Sequence, residues 1–470
     1  MTAPVPVGVR LAFDPATRSR GPAVLVGGAP RRVLRLSAGG QRALAELRSG
    51  PVRSATAGAL ARRLTDAGLA HPVPPDALAE LTVLVPVRDR AAQLGRCLRA
   101  LRGRYPVVVV DDGSADPDAV AKVCAEHGAE LVVRPRCGGP AAARNTGLLH
   151  VATPFVALLD SDCVADPAAL ARLAAHLADP LVAAAAPRIA PLPGPAARRA
   201  VARYGAARSS LDLGERPALV APLTRVGYVP TAALVVRSAA LGDGPFDPAL
   251  RYGEDVDLVW RLVAAGWRVR YDPAVRVHHD EPATWRALVA RRFRYGTSAG
   301  PLAQRHPAHL VPLVVQPAAA VAVAGLLARR PWLAVAGLAA AAGSAGRARR
   351  RAGLPLVGAV PAALAATGRT LLGAGRYGTQ VAAPLLAAGL VVRGRGRSAA
   401  AALLLAGPLT AWATARPRLD PVRFTAAAIA DDVAYGCGVW AGCLTQRTAL
   451  PLRPRLARRP PIRPTRRSGP

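Results

Sequence analysis

Three apolar runs that do not alternate, each ending abruptly at carboxylates, set the strongest limit on how this chain can fold. Leu81-Thr-Val-Leu-Val-Pro-Val87 leads into Arg88-Asp-Arg90. Val107-Val-Val-Val110 leads into Asp111-Asp-Gly-Ser114, and Phe155-Val-Ala-Leu-Leu159 into Asp160-Ser-Asp162. Runs of this kind suit strands buried on both faces, as in a parallel sheet. A helix pattern at 91–101 separates the first two, so a β-α-β unit with a right-handed crossover is expected. Ligands of such sheets bind beyond the carboxyl ends of the strands. Arg88, Asp89, Asp111, Asp112, Asp160 and Asp162 all fall there.

In extended backbone, residues two apart point the same way, so Asp160 and Asp162 share a face. Together they offer hard oxygen ligands to a divalent cation; alone, such a pair reads equally as a loop with two solvated acids. Cys137-Gly-Gly-Pro-Ala-Ala-Ala-Arg-Asn-Thr-Gly147 places glycines before a short helix. That pattern permits close backbone approach and favours an anion, or simply makes a turn. Arg144 adds a fork of donors. Tyr252-Gly-Glu-Asp-Val-Asp257 crowds Glu254, Asp255 and Asp257 into a first helical turn. The helix dipole favours acids there, yet three exceed what capping needs.

In this order and approximate spacing, the motifs resemble the family-2 glycosyltransferases, over residues 81–296. The resemblance implies a GT-A fold, an α/β doubly wound nucleotide-sugar-binding core. It implies that the turn Pro86, Val87, Arg88 and Asp89, with Asp112, holds base and ribose, and that Arg144 lies near the nucleotide. Asp89 stands where many relatives carry Asn. Asp160 and Asp162 would hold Mg²⁺ or Mn²⁺ against the diphosphate. Asp255 would be the general base, with Glu254 orienting the acceptor or supporting the helix. His278 and His279 follow a strand expected at 268–277; His278 is taken as the third metal ligand, with a plain loop histidine as the alternative. One base opposite one leaving group implies a single displacement with inversion. Arg291-Arg-Phe-Arg-Tyr295 reads as an acceptor-side or diphosphate-side element, or as an interfacial helix.

The chain has 470 residues, 51% of them hydrophobic, with a net charge of +33. Its mean hydropathy of +0.23 is high for a soluble enzyme. The apolar excess sits in blocks at 310–328, 332–345, 354–367, 381–392 and 399–413, with arginines at the joints. A spanning helix wants about 20 apolar residues, which only the first block approaches. Short or kinked spans, helices lying on the bilayer, and a soluble helical bundle all remain open. Basic flanks around apolar blocks point to an anionic membrane surface, at the cytoplasmic face. No nucleic-acid module is present, and aromatics for base stacking make up 4%. The six cysteines form no CxxC pair and no secretory signal precedes the first domain, so reduced thiols are expected.

Four parts are expected: 1–78, a catalytic domain 79–300, an apolar helical membrane-associated region 301–450, and a basic disordered tail 451–470. The first predicts a strand near Val33, a helix capped at Ser37, a second helix at 57–67, and a Pro-rich linker at 72–76. This pattern resembles small winged-helix domains that recognise precursor peptides. A helix is expected at 426–444, with Asp431 and Asp432 as cap-and-solvent residues or acceptor contacts. Taken whole, the chain resembles the mycofactocin-system glycosyltransferases of actinobacteria. That implies a UDP-sugar donor, UDP-glucose, a peptide-derived mycofactocin-type acceptor, and contact with other pathway proteins. The alternatives are a membrane transferase for a polysaccharide or glycolipid, and a catalytically silent scaffold.

Overall fold

The computed structural model describes residues 3–28, 31–75, 80–352 and 354–457. The chain divides into two compact units, Met1–Ala197 with Arg208–Glu281, and Arg198–Ala207 with Pro282–Pro470. The division therefore falls after 281 rather than at 300, and a short helix from the first half, Ala200–Ala207, belongs to the second unit. The expected boundary at 78 lies outside the described residues.

The first unit is built on a mixed sheet, nine-stranded among the described residues. Leu81–Val87 lies between Val107–Asp112 and Phe155–Leu159 and pairs parallel with both. Glu130–Arg134 extends the parallel half. Helices Ala91–Leu101, Pro117–Glu126 and Pro140–Leu148 make the crossovers. The unalternated runs are buried as expected: Val83, Leu84, Val109, Val110 and Leu158 are all inaccessible. Gly147 lets the 140–148 helix lie directly on the sheet, since a Cβ there would strike Leu84 and sit 2.7 Å from Val110.

Beyond Phe155–Leu159 the sheet departs from a purely parallel expectation. Ala233–Arg237 joins it antiparallel, and Val182–Pro191 pairs antiparallel with that strand and parallel with Arg268–His279. These strands bring chain from beyond residue 180 back beside the carboxylate-bearing strand ends.

The N-terminal part of this unit has its own apolar core, including Leu25, Leu44, Leu60 and Leu64. Arg18–Ser19, Val24–Gly27 and Arg32–Arg35 form an antiparallel ribbon. Helices Ala38–Ser49 and Ala55–Asp66 follow, capped by Ser37 and Ser54 as their sequences require. The ribbon precedes the helices. The Pro-rich stretch begins as a strand, with Ala70–Val73 paired to Arg10–Phe13. Buried Arg62 donates to Asp179 at 2.7 Å and to the Ala3 carbonyl at 2.9 Å. Arg268 grips Asp66 through two bonds of 2.7 Å. These charge-assisted pairs fix the part to the sheet.

The second unit is helical. Trp285–Thr297 packs on Pro421–Thr445 through small residues: a Cβ on Gly296 or Gly438 would meet the other helix's backbone, and Gly300 and Gly442 repeat the contact one turn on. Pro317–Leu327 and Pro331–Arg351 pack in the same way through Gly325 and Gly337. Ala299–Arg305, which carries Gly300, and Ala359–Val381, Ala383–Val391 and Arg395–Ala415 are further helices of the unit. Asp431 and Asp432 are neither caps nor solvated; both are buried. Asp431 accepts from the Tyr204 hydroxyl at 2.9 Å and from Arg292 Nε at 2.6 Å, and Asp432 accepts from Gln380 at 2.9 Å. The expected disordered tail is ordered to residue 457, because Arg455–Leu456 pairs with Val314–Val315. Residues 458–470 lie outside the described residues.

Candidate active site

The carboxyl ends of the parallel strands form one edge, since Val87 stands opposite Asp111 and Leu84 opposite Leu158. At its centre is Arg144, from the first turns of the 140–148 helix. It is 3% exposed and carries two carboxylates: Nη1 donates to Glu254 Oε1 at 2.8 Å and Nη2 to Asp160 Oδ1 at 2.7 Å. Burial works against its charge, and the two acids overcome this, so its pKa lies above the ordinary value. Asn145 clamps residue 246, giving to the Phe246 carbonyl at 2.6 Å and accepting from its N–H at 3.0 Å. Arg144 and Asn145 therefore work as a joint across the sheet edge.

Asp160 and Asp162 do not sit in extended backbone. The Cys163 N–H closes on the Asp160 carbonyl at 2.9 Å, making a turn. The two side chains consequently take different partners. Asp160 meets Arg144 and keeps a third of its side chain exposed. Asp162 pairs with Arg90, and its Oδ1 lies 3.5 Å from His279 Nε2. The histidine at this motif is His279 rather than His278, because the strand runs through both and Cys163 pairs with His279 across it. Successive strand residues face opposite ways. Among the described residues no group of three acids, histidines or cysteines is already arranged around a metal position.

Asp255 stands next to Glu254 at the start of the Glu254–Ala264 helix, entered through Gly253 at φ +84°. It is partly exposed, and its carboxylate accepts from the Val256 N–H at 2.8 Å. Its pKa is pushed up to about 7, first by burial and then by repulsion from Glu254, against the pull of Val256 N–H and Arg144. Glu254 is committed to Arg144, and Asp257 is buried on Arg261 at 2.8 Å. Asp255 is thereby set up to exchange a proton near neutral pH.

The residues expected to hold the nucleotide divide. Asp112 is 5% exposed, and its oxygens accept from Gly138 N–H at 2.9 Å, Gly139 N–H at 2.7 Å and Arg134 Nε at 2.8 Å. The anion at that helix N-terminus is thus the chain's own carboxylate, and Asp112 anchors the Gly-rich turn. Val87 is core, Pro86 is half-buried, and Arg88 and Asp89 are exposed. Asp89 adopts φ +55°, accepts from Ala115 N–H at 2.7 Å and donates its own N–H to Ser114 Oγ at 2.9 Å. That ties the first strand's turn to the Asp-Asp-Gly-Ser turn. Arg90 and Arg134 add to the expected set; the signal available for them was position at the ends of strands or their turns on the same edge. Cys97 and Cys163 are packed away, and burial, with Asp162 and Asp160 nearby, pushes the Cys97 thiol up to about 12.

The profile described as Glycosyl transferase family 2 matches residues 82–240. Over 476 aligned residues the chain is 38% identical to the pre-mycofactocin glycosyltransferase of Mycobacterium tuberculosis, covering 96% of this chain and 98% of that protein. The chain belongs to the family-2 glycosyltransferases. This glycosyltransferase is also 36% identical to the uncharacterized glycosyltransferase Mb0553 of Mycobacterium bovis, over 40% of its own length and 81% of that protein. A mannosyltransferase, PcManGT from Pyrobaculum calidifontis in complex with GDP-Man and Mn²⁺, aligns with a TM-score of 0.43 at 20% identity, covering 80% and 89% of the two chains. The mixed sheet of this glycosyltransferase is a GT-A sheet, and the enzyme is a transferase.

Proposed function

We propose that this transferase moves a hexose, glucose, from UDP-glucose to a pre-mycofactocin-type acceptor, with inversion at the anomeric carbon and with a divalent cation. The observation that carries the acceptor is likeness along nearly the whole chain to a protein named for that substrate, rather than along the catalytic part alone. The chemistry rests on Asp255, a carboxylate held near pKa 7 beside an edge of paired charges.

The residues suit Mg²⁺ or Mn²⁺. Asp160 and Asp162 supply hard oxygens, and His279 stands 3.5 Å from one of them. Arg90 now covers Asp162, and its side chain is half exposed. A bound cation would neutralise charge on the departing diphosphate. Asp255 takes the proton of the acceptor hydroxyl as that oxygen attacks. Alcohols are weak acids, so proton transfer is late and positioning carries much of the rate. Glu254 positions Arg144, which in turn orients Asp160.

The reading sets the enzyme at the cytoplasmic face of an anionic membrane. Two helices long and apolar enough to cross one, and the +33 charge, support this. The same helices favour a second reading, a lipid-linked acceptor.

The test is transfer by purified protein in mild detergent, with UDP-glucose, Mn²⁺ or Mg²⁺, and a pre-mycofactocin aglycone, followed by mass spectrometry. Metal-dependent hexose addition by wild type is expected. UDP release with hexose moved only to a polyprenyl phosphate would replace the acceptor by a lipid. No donor turnover by folded protein would refute the donor and mechanism together.

A further inference from the structure

The helical unit carries apolar surface that its own packing leaves uncovered. The segment Leu356–Val381 and the helix Arg395–Ala415 are each only 11% buried over their apolar windows. Val357, Leu364, Leu385 and Leu409 lie open. The arginines indicate what covers such a surface, and in which orientation.

Positive charge brackets the apolar helices at both ends. Arg329 and Arg330 precede Pro331–Arg351, which itself ends in Arg349, Arg350 and Arg351. Arg393, Arg395 and Arg397 stand at one end of Arg395–Ala415; Arg416, Arg418 and Arg423 stand at the other. A crossing helix has its ends on opposite sides of the bilayer, and short arginine-rich loops are kept on the cytoplasmic side. Crossing by Arg395–Ala415 would export three arginines whichever way it ran. The other long segment meets a further obstacle: Arg369 is at the middle of Leu356–Val381 and is exposed. Spanning would hold that guanidinium in lipid near the bilayer centre. Pro317–Leu327 and Ala383–Val391, with 11 and 9 residues, are too short to cross.

We propose that the helical unit lies within one leaflet of an anionic bilayer, with no helix crossing it. Apolar faces rest against acyl chains, and the bracketing arginines meet headgroup phosphates. An in-plane bundle lets Arg369 reach the headgroups along its own stem. Trp332 and Trp440 are exposed at 65% and 43%, and indoles favour this depth. The proposal rests on the membrane reading above and sharpens it from association to topology.

Two measurements on the full-length protein test it. In the first, Gly396→Cys and Thr414→Cys mark the two ends of one helix, in a Cys437→Ser background that removes the exposed native thiol. A membrane-impermeant maleimide is applied to sealed spheroplasts and to inverted vesicles. Both marked ends should label in inverted vesicles only. Labelling of one end from each side would establish a span and overturn the in-plane topology while keeping the membrane reading. In the second, purified protein is floated with vesicles of phosphatidylcholine, with or without phosphatidylglycerol, at physiological salt. Recovery with the anionic vesicles should be higher by about tenfold, since each lysine or arginine near such a surface contributes attraction. Equal recovery would overturn the headgroup assignment. Protein left unbound by both vesicle types would overturn this proposal and the membrane reading together.

Discussion

Arg144 in the sheet unit and Arg292 in the helical unit both hold carboxylates, but the two sites are finished differently. Asp431, the partner of Arg292, is 4% exposed in its side chain and also takes the Tyr204 hydroxyl. Asp160, the partner of Arg144, stays a third exposed, and Asp255 nearby stands beside Glu254, which raises its pKa. One network is closed and the other is kept open, with an acid whose pKa is pushed up to about 7. Buried pairs are weak stabilisers compared with apolar packing, and breaking one is expensive. The closed network reads as a support for the helices, the open one as a site for chemistry.

Breaking each network should therefore give different losses. Arg144→Ala leaves Glu254 buried without its cation. We expect destabilisation of about 3–5 kcal/mol and loss of donor turnover, seen by denaturant unfolding and UDP release. A variant of wild-type stability would mean that Arg144 is not the joint described. Asp255→Asn should lower kcat by about 10²–10⁴, the range for a general base, with donor KM little changed. Its melting temperature at pH 8 should equal or exceed that of wild type, because the repulsion between Asp255 and Glu254 has been removed. Asp431→Asn should cost about 1–3 kcal/mol, by loss of a charged hydrogen bond, while donor hydrolysis persists in protein that remains folded. Abolished hydrolysis there would erase the distinction between the two networks.

A smaller effect concerns stability and pH. An ordinary aspartic acid releases its proton near 4, so between about 4 and 7 the folded chain holds a proton at Asp255 that the unfolded chain has released. Stability from this group falls as pH rises through that window. The pH dependence of the melting temperature in Asp255→Asn should lack that part of the slope. An unchanged slope would remove the raised pKa from the account.

The sheet edge was legible because its strands are continuous apolar runs and its acids stop them. The Asp160 and Asp162 pair was found for a reason that proved incomplete: the turn closed by Cys163 separates their partners, and side-chain alternation does not apply in a turn. The nucleotide role of Asp112 came from the family resemblance, and the structure adds local partners that the sequence does not reveal. Those donors, the Gly138 and Gly139 N–H groups, are 26 and 27 residues away, and sequence periodicity carries no such pairing. The choice between His278 and His279 depends on strand register, which pairing with Cys163 and Pro191 fixes. Ala70–Val73 escaped notice as a strand because His71 and Pro72 hide the pattern and its partner lies some 60 residues earlier. The small-residue packing of Gly296 and Gly300 on Gly438 and Gly442 was equally hidden, since spacing alone does not say which helices meet.

The most direct test of the central claim is the pH profile of kcat/KM for glycosyl transfer, taken on wild type and on Asp255→Asn. Wild type should rise about tenfold per pH unit on the acid side and level off near pH 7, where the base of the free enzyme loses its proton. The variant should be slow and lack that limb. An acid limb confined below pH 5, or the same limb in Asp255→Asn, would contradict the assignment of Asp255 as the base.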